Sequence, residues 1–194
     1  DPTCCQAYLD ADTAAANWGD NAEYYAAKIS NAVAATDGQT ILYDGKPILA
    51  VFHSSSSGMT KSAGEVWTED LPYLQSVASP EKGSEIPNYY SRAEFTKEEF
   101  RQKFLAAHPE ADFSGDASGW VRDLTVTEGS NVDTVTIGGV SVRGGAVRSI
   151  FSLRSASFEL EYSGGKFVFY VTGFGHGVGL SQYGANEMAK EGSS

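Results

Sequence analysis

Apolar positions along the chain keep two rhythms, a helical one early and a strand-like one from Val121 onward. Tyr25, Ile29 and Val33, with Ala32, return at helical spacing and predict a helix over 23–35. Asp20 or Asn21 stands where a cap belongs, and Gly38 is placed to end the helix. Gln6 to Leu9 predicts a short strand. The runs Thr40–Tyr43 and Pro47–Phe52 flank Asp44-Gly45, a strong hairpin signal. Residues 78–92, with Pro80, Gly83 and Pro87, read as loop. Thr96-Lys-Glu-Glu99 is a capping box, with Phe95 and Phe100 as its staple. That helix should reach about His108, where Pro109 follows. Leu124, Val126, 132–137, Val140 and Val142 then form strands broken at Gly129-Ser-Asn and Gly138-Gly139. Phe158–Tyr162 and Phe167–Val171 make a further hairpin around Ser163-Gly-Gly-Lys166, with a short helix before it in Gly145–Arg154.

Hairpins and separate helices, without βαβ alternation or internal repeat, predict an α+β fold. Its expected form is antiparallel β-hairpins and a mixed sheet with several separate helices. The chain reads as a single domain over 1–194, truncated at both ends, with a subdomain over 78–145.

Composition narrows the partners. A chain of 194 residues with 41% apolar content can bury a sizeable core. A net charge of −11 argues against nucleic acid and against anionic membrane surfaces. A neutral polymer or a small molecule stays open. No secretion signal and no run of 18 apolar residues is present. An opening of Asp-Pro-Thr-Cys-Cys and a close on Gly192-Ser-Ser read as a piece of a longer protein. Cys4 and Cys5 are neighbours, and a disulfide between them would be strained. They are free thiols or part of a zinc site completed by His53 or by residues upstream.

The densest chemistry lies at 173–185. Gly173, Gly175, Gly177 and Gly179 alternate around His176 after an apolar run. Neither G-x-G-x-x-G nor G-x-x-x-x-G-K-[ST] fits, so a phosphate cradle is excluded. Alternate glycines instead allow a backbone to pass close to something. Ser181, Gln182 and Tyr183 follow as a polar run suited to sugar hydroxyls or to capping a helix. A second constellation is Phe52-His-Ser-Ser-Ser-Ser-Gly-Met-Thr60, a solvated loop or the polar lining of a groove. A Ser–His nucleophile there lacks the G-x-S-x-G elbow and an orienting acid. Glycosidic cleavage needs a carboxylic acid, and Glu65, Glu69 and Asp70 cluster around Trp67. Each is otherwise a surface charge or a hydrogen-bonding structural residue.

Taken together, these motifs resemble one family. Phe52 to Thr60 resembles the pattern YHSxSGGxT. Glu65-Val-Trp followed by Pro72-Tyr-Leu-Gln-Ser-Val resembles EVW…PYLxSV. Arg148, then Leu153-Arg-Ser-Ala-Ser-Phe158, resembles RxxLxLRSxxF. Gly173 to Ala185 is similar to GxGHGVGMSQYGA. On these motifs the chain is identified as a member of the stage II sporulation protein D family, with the related amidase enhancers.

The resemblance implies a peptidoglycan lytic transglycosylase. It would cleave between N-acetylmuramic acid and N-acetylglucosamine in glycan strands already stripped of stem peptides, leaving a 1,6-anhydro end. His53, Ser54, Ser55, Thr60, Glu65, His176, Gln182 and Tyr183 would bind substrate. The family's catalytic glutamate lies in an E-M-P motif, upstream of an A-L-K-A-Q-A-x-A-A-R-T-Y helix, and neither occurs here. A catalytic residue is therefore expected upstream of residue 1, and the 194 residues alone should be inactive. The family's H-C-Q element stands as Cys4-Cys5-Gln6, so Cys4 and Cys5 would be a partial metal site. No cofactor is implied as required, and a structural zinc is allowed. Implied partners are glycan strands, an amidase and a membrane-protein complex. The implied location is extracytoplasmic, anchored by an N-terminal segment, in the cell envelope or between forespore and mother cell. The rival expectation is a non-catalytic amidase enhancer or glycan-binding module.

Overall fold

A computed structural model describes residues 8–67 and 69–193. Cys4, Cys5, Gln6 and Ala7 lie outside the described residues. The chain forms two compact units, one up to Ile48 and one from Leu49. No described helix is long and apolar enough to cross a membrane.

The first unit holds two helices and a hairpin. Helix α1, Ala11–Trp18, is capped by Asp10, whose carboxylate accepts from the Thr13 N–H at 2.8 Å and hydroxyl at 2.9 Å. A 3₁₀ turn, Gly19–Asn21, runs directly into α2, Ala22–Ala35. The expected cap is not made: Asn21 has no side-chain bond, because the preceding turn already leads the backbone in. Tyr25, Ile29 and Val33 share a face as expected, yet they are 39%, 51% and 65% exposed. Helix α2 stops at Ala35 and not at Gly38, which sits in the turn beyond it. Thr36 closes the end by turning its hydroxyl back to the Ala32 and Val33 carbonyls. Strands β1, Leu42–Tyr43, and β2, Lys46–Pro47, pair across Asp44-Gly45, as the sequence predicts, over a shorter span. Tyr8 and Leu9, the described end of the expected first strand, carry none.

The second unit runs through β3 (Phe52–His53), α3 (Ala63–Val66), β4 (Tyr90–Thr96), α4 (Lys97–Ala107) and β5 (Val121–Arg122). It continues with β6 (Thr134–Ile137), β7 (Val140–Arg143), α5 (Gly144–Phe151), β8 (Phe158–Ser163), β9 (Lys166–Thr172), β10 (Leu180–Ser181) and α6 (Gln182–Lys190). Two antiparallel three-stranded sheets, β4-β9-β8 and β5-β6-β7, give the α+β class that the sequence predicts.

The main core is aromatic. Phe100 stacks on Phe167 at 3.9 Å and on Phe151 at 4.7 Å, and Trp120 stacks on the far side of the group against Phe167. Each fully buried ring of this kind contributes roughly 1.5–3 kcal/mol. The capping box at Thr96 is formed, with the Thr96 hydroxyl on the Glu99 N–H and the Glu99 carboxylate on the Thr96 N–H. Phe95 and Phe100, on either side of it, both pack on Phe151.

One stretch differs from the loop expected over 78–92. Strand β4 begins at Tyr90, and Gly83–Glu85 form a 3₁₀ turn. Ser91, Ala93 and Phe95 face inward while Tyr90, Arg92 and Glu94 face out, so β4 is a half-buried edge strand. Its apolar content is too thin to announce it. Pairing with β9, from Tyr90 opposite Thr172 to Thr96 opposite Lys166, makes it a strand.

Candidate functional site

Two loops far apart in sequence are zipped into one structure. Strands β3 and β10 pair in parallel, with Phe52 opposite Leu180 and His53 opposite Ser181. Beyond them the Ser55 N–H donates to the Phe174 carbonyl at 3.1 Å, and the Phe174 N–H returns the bond at 2.9 Å. The Lys61 N–H donates to the Gly177 carbonyl at 2.8 Å. The serine run is therefore packed and hydrogen-bonded, with Ser55 and Ser56 buried.

A carboxylate that sequence reasoning missed ties these loops together. Glu81 Oε1 accepts from the Ser56 N–H at 2.9 Å, the Ser56 hydroxyl at 2.5 Å and the Ser181 hydroxyl at 2.5 Å. The Ser181 oxygen also accepts the Gly184 N–H, capping α6. Burial works to raise the Glu81 pKa, but the bonds from Ser181 and Ser56 together outweigh it and hold the carboxyl below its ordinary value. Glu81 is thus an ionised clamp and a poor proton donor. Only its partners, 25 and 100 residues away, reveal the role.

His53 and His176 lie ring to ring at 5.7 Å, and Trp67 packs on the other side of His176 at 5.5 Å. The backbone of one residue, Val178, orders both histidines. The Val178 N–H donates to His176 Nδ1 at 3.0 Å, so a neutral His176 carries its proton on Nε2. The Val178 carbonyl lies 3.1 Å from His53 Nδ1, so His53 carries its proton there. His53 Nε2 is then a buried acceptor without a partner.

Burial, followed by the neighbouring His53 and Arg148, pushes His176 down to about 4, and burial also lowers His53. The sign for stability follows. Between about pH 6.5 and 4 the unfolded chain binds the proton and the folded chain does not. Stability should therefore fall as pH drops through that window, by roughly 1–2 kcal/mol for His176 once its solvent contact is discounted. Thermal melts from pH 7 to 4 check this. His176→Gln should flatten the slope in part, and adding His53→Gln should flatten it further; an unchanged slope overturns the assignment.

Beside the histidines opens a cleft of about 270 Å³ lined by Lys61, Glu65, Asn131, Arg143, Arg148 and His176, among others. A shallower depression at Trp67 shares Val66 and Arg143 with it. Lys61 is 8% exposed. Its stem runs along Gly177, where an added Cβ would meet it at 3.1 Å. Burial, then Arg148, brings the Lys61 ammonium down to about 8, with Glu65 acting in the opposite direction.

The residues expected to bind substrate divide by position. Glu65 and His176 line the cleft, and His53 backs His176. Glu65 is also committed locally: its carboxylate accepts the Ser62 N–H at 2.7 Å in a capping box that starts α3. Ser55 is buried, and the Ser54 carbonyl holds the Tyr183 N–H. The buried Thr60 hydroxyl accepts the Val77 N–H. Gln182 and Tyr183 open α6, away from the cleft lining. Of the three acids around Trp67, Glu65 alone reaches the cleft. Lys61, Arg143 and Asn131 complete it without any motif to mark them. No group of three or more metal-ligating side chains forms among the described residues, and the Cys4–Cys5 element lies outside them.

No protein-family model matches the chain. It is similar to stage II sporulation protein D of Bacillus amyloliquefaciens, 40% identical over 97% of this chain and 53% of that protein. It is 42% identical to stage II sporulation protein D of Bacillus subtilis over 91% of this chain and 50% of that protein. A more distant likeness, 24% identical over 85% of the chain and 30% of the relative, is to an amidase enhancer of Bacillus subtilis. The chain spans about half the length of the sporulation relatives it matches. With its two signature loops joined as one site, the chain belongs to the stage II sporulation protein D family.

Proposed function

We propose that this chain is the glycan-holding part of a peptidoglycan lytic transglycosylase that remodels the cell wall during sporulation. The observation that carries this reading is Trp67 packed on His176 beside a cleft set with hydrogen-bonding and cationic groups. An aromatic face next to fixed polar groups suits a sugar ring, and a net charge of −11 disfavours a densely anionic polymer such as nucleic acid as the partner. The names of the relatives support the setting.

The reaction needs little from the protein. The muramic 6-hydroxyl attacks its own anomeric carbon, the new O6–C1 bond forms and the bond to the leaving sugar oxygen breaks. One acid gives its proton to that oxygen, and the proton of the 6-hydroxyl leaves to a base. Glu81 is held ionised, and Glu65 is engaged by Ser62. In this reading the acid is the glutamate of the E-M-P motif that the family resemblance implies, which does not occur in these residues. The chain's own part is to seat and orient the strand. Amidase-treated strands, an extracytoplasmic location and an amidase partner complete the proposal.

The test compares the full-length protein with residues 1–194 on glycan strands stripped of stem peptides. Full-length protein should release 1,6-anhydro ends, visible as a loss of one water by mass spectrometry, and residues 1–194 should not. Reducing ends alone would overturn the reading. The amidase-enhancer likeness favours a second reading, a glycan-binding module. It predicts strand binding and amidase stimulation with no new ends.

A further inference from the structure

The cleft holds more cations than carboxylates, and none of the cations is in an ion pair among the described residues. Lys61, Arg143 and Arg148 all line it. Among the described residues Arg143 reaches the Glu65 backbone carbonyl alone, at 3.5 Å. Lys61 is more than nine-tenths buried, its ammonium has no hydrogen-bond partner among the described residues, and it is close enough to Arg148 to be destabilised by it. Concentrating like charges is costly, and it happens here in a chain with eleven excess negative charges.

The start of helix α5 faces the same space. Gly144, Gly145 and Ala146 line the cleft, and no side chain caps the helix. The Gly144 N–H is taken by the Asp133 carbonyl. The N–H groups of Gly145 and Ala146 have no partner within the helix, and they carry its positive end. Nothing lies within 4 Å of where a Gly145 Cβ would stand, so the backbone there is open to approach. Two carboxylates, Glu65 and Asp133, also line the cleft. Glu65 is turned to Ser62 and still favours the Lys61 ammonium from there, so the three cations outnumber the two carboxylates by one.

From this geometry we infer that Lys61, Arg148 and the N-terminus of α5 form a carboxylate subsite. A carboxylate placed there would be shared by a buried ammonium, a guanidinium and backbone N–H groups, a combination that binds an anion strongly. The carboxylate can come from the substrate or from another part of the protein. The geometry favours the substrate, because the site opens beside the Trp67–His176 face. On the proposed function, which this step uses only to name the sugar, the group is the lactyl carboxylate of N-acetylmuramic acid. Its amide or ester would lack the charge, as a muramic acid still joined to its stem peptide does. A cleft reading that charge would select stripped strands.

The test uses the full-length protein and sugars that cannot be cleaved, so it reads the subsite whether or not the protein is a transglycosylase. N-acetylmuramic acid, its carboxamide and N-acetylglucosamine are titrated against the labelled protein by NMR. The free acid should bind at least tenfold tighter than either neutral sugar. Arg148→Gln and Lys61→Met should each bring the acid to within about twofold of its carboxamide. Removing one of two facing cations should leave the melting temperature of the free protein level or raise it. Equal binding of acid and carboxamide overturns the inference. A melting temperature lowered by several degrees in Arg148→Gln, with no acid preference in the parent, also overturns it, because the protein's own carboxylate then fills the cleft.

Discussion

Gly179→Ala is expected to be the most damaging single methyl addition at the site, costing about 3 kcal/mol or more. Gly179 has a φ of +74°, where an L-residue is strained by about 1–2 kcal/mol. An added Cβ would also stand 2.3 Å from the Val51 carbonyl oxygen, which is backbone and cannot swing aside. That oxygen accepts the Leu180 N–H at 3.0 Å, the bond that starts the β3–β10 pairing. The methyl must break this bond or push the two loops apart, losing about a further 1 kcal/mol and the register of both histidines. For a unit of this size the melting temperature should fall by roughly 10 °C. Gly165→Ala is the control. Gly165 has a φ of +80° in an open hairpin turn with nothing within 4 Å, so it bears the strain alone. Its melting temperature should fall by only about a third as much. Equal losses at the two positions would show that close approach to Val51 contributes nothing.

Replacing Glu81 should have the second largest effect. Glu81→Ala takes one acceptor from three donors at once, the Ser56 N–H and hydroxyl and the Ser181 hydroxyl. Hydrogen bonds to a charged group are stronger than neutral ones, but the other carboxylate oxygen, Oε2, is buried without a partner among the described residues, and removing it recovers part of the loss. A net cost of about 2–3 kcal/mol is expected. Amide hydrogen exchange should quicken around 54–57 and 181–184 together, since Ser181 also caps α6. Glu81→Gln, which keeps an acceptor but not the charge, should cost less. The pH sign is that of a depressed carboxylate. The contribution is full above the ordinary glutamate pKa and is lost as pH falls through the lower folded value. Exchange that quickens at only one of the two segments would sink the idea of a shared clamp.

Local chemistry was legible and long-range chemistry was not. Asp44-Gly45, the Thr96–Glu99 box and the turn at Ser163-Gly-Gly-Lys166 carry their geometry within four residues, and the structure has each of them. Strand β4 needed β9 as partner. The helix α1 stretch, half alanine, has no apolar stripe to announce it. The α2 stripe was read correctly as a helical face, but periodicity alone does not say whether that face is covered. At the site, the two loops were visible as motifs because glycine and serine are unusual at that density. Glu81, Lys61 and Arg143 are ordinary charges in ordinary places, and their meaning comes only from what the fold brings beside them. The serine run shows the reverse. Its polarity suggested a wet loop, and the Ser56 and Ser57 donors are instead used inside the protein, while the buried Ser55 hydroxyl has no partner among the described residues.

The Val178 backbone has a mechanical consequence. Its N–H and its carbonyl belong to two peptide planes that meet at one buried Cα, and each is fastened to a different imidazole. A proton added to His176 at Nδ1 would face the Val178 N–H, two donors against each other. Relief turns the plane on one side of that Cα, while the plane on the other side still holds His53. The two rings thus share an anchor and not a proton. A charge on either ring opposes a charge on the other, so NMR titration should show the imidazoles titrating in separate steps, and His53→Gln should move the His176 midpoint up.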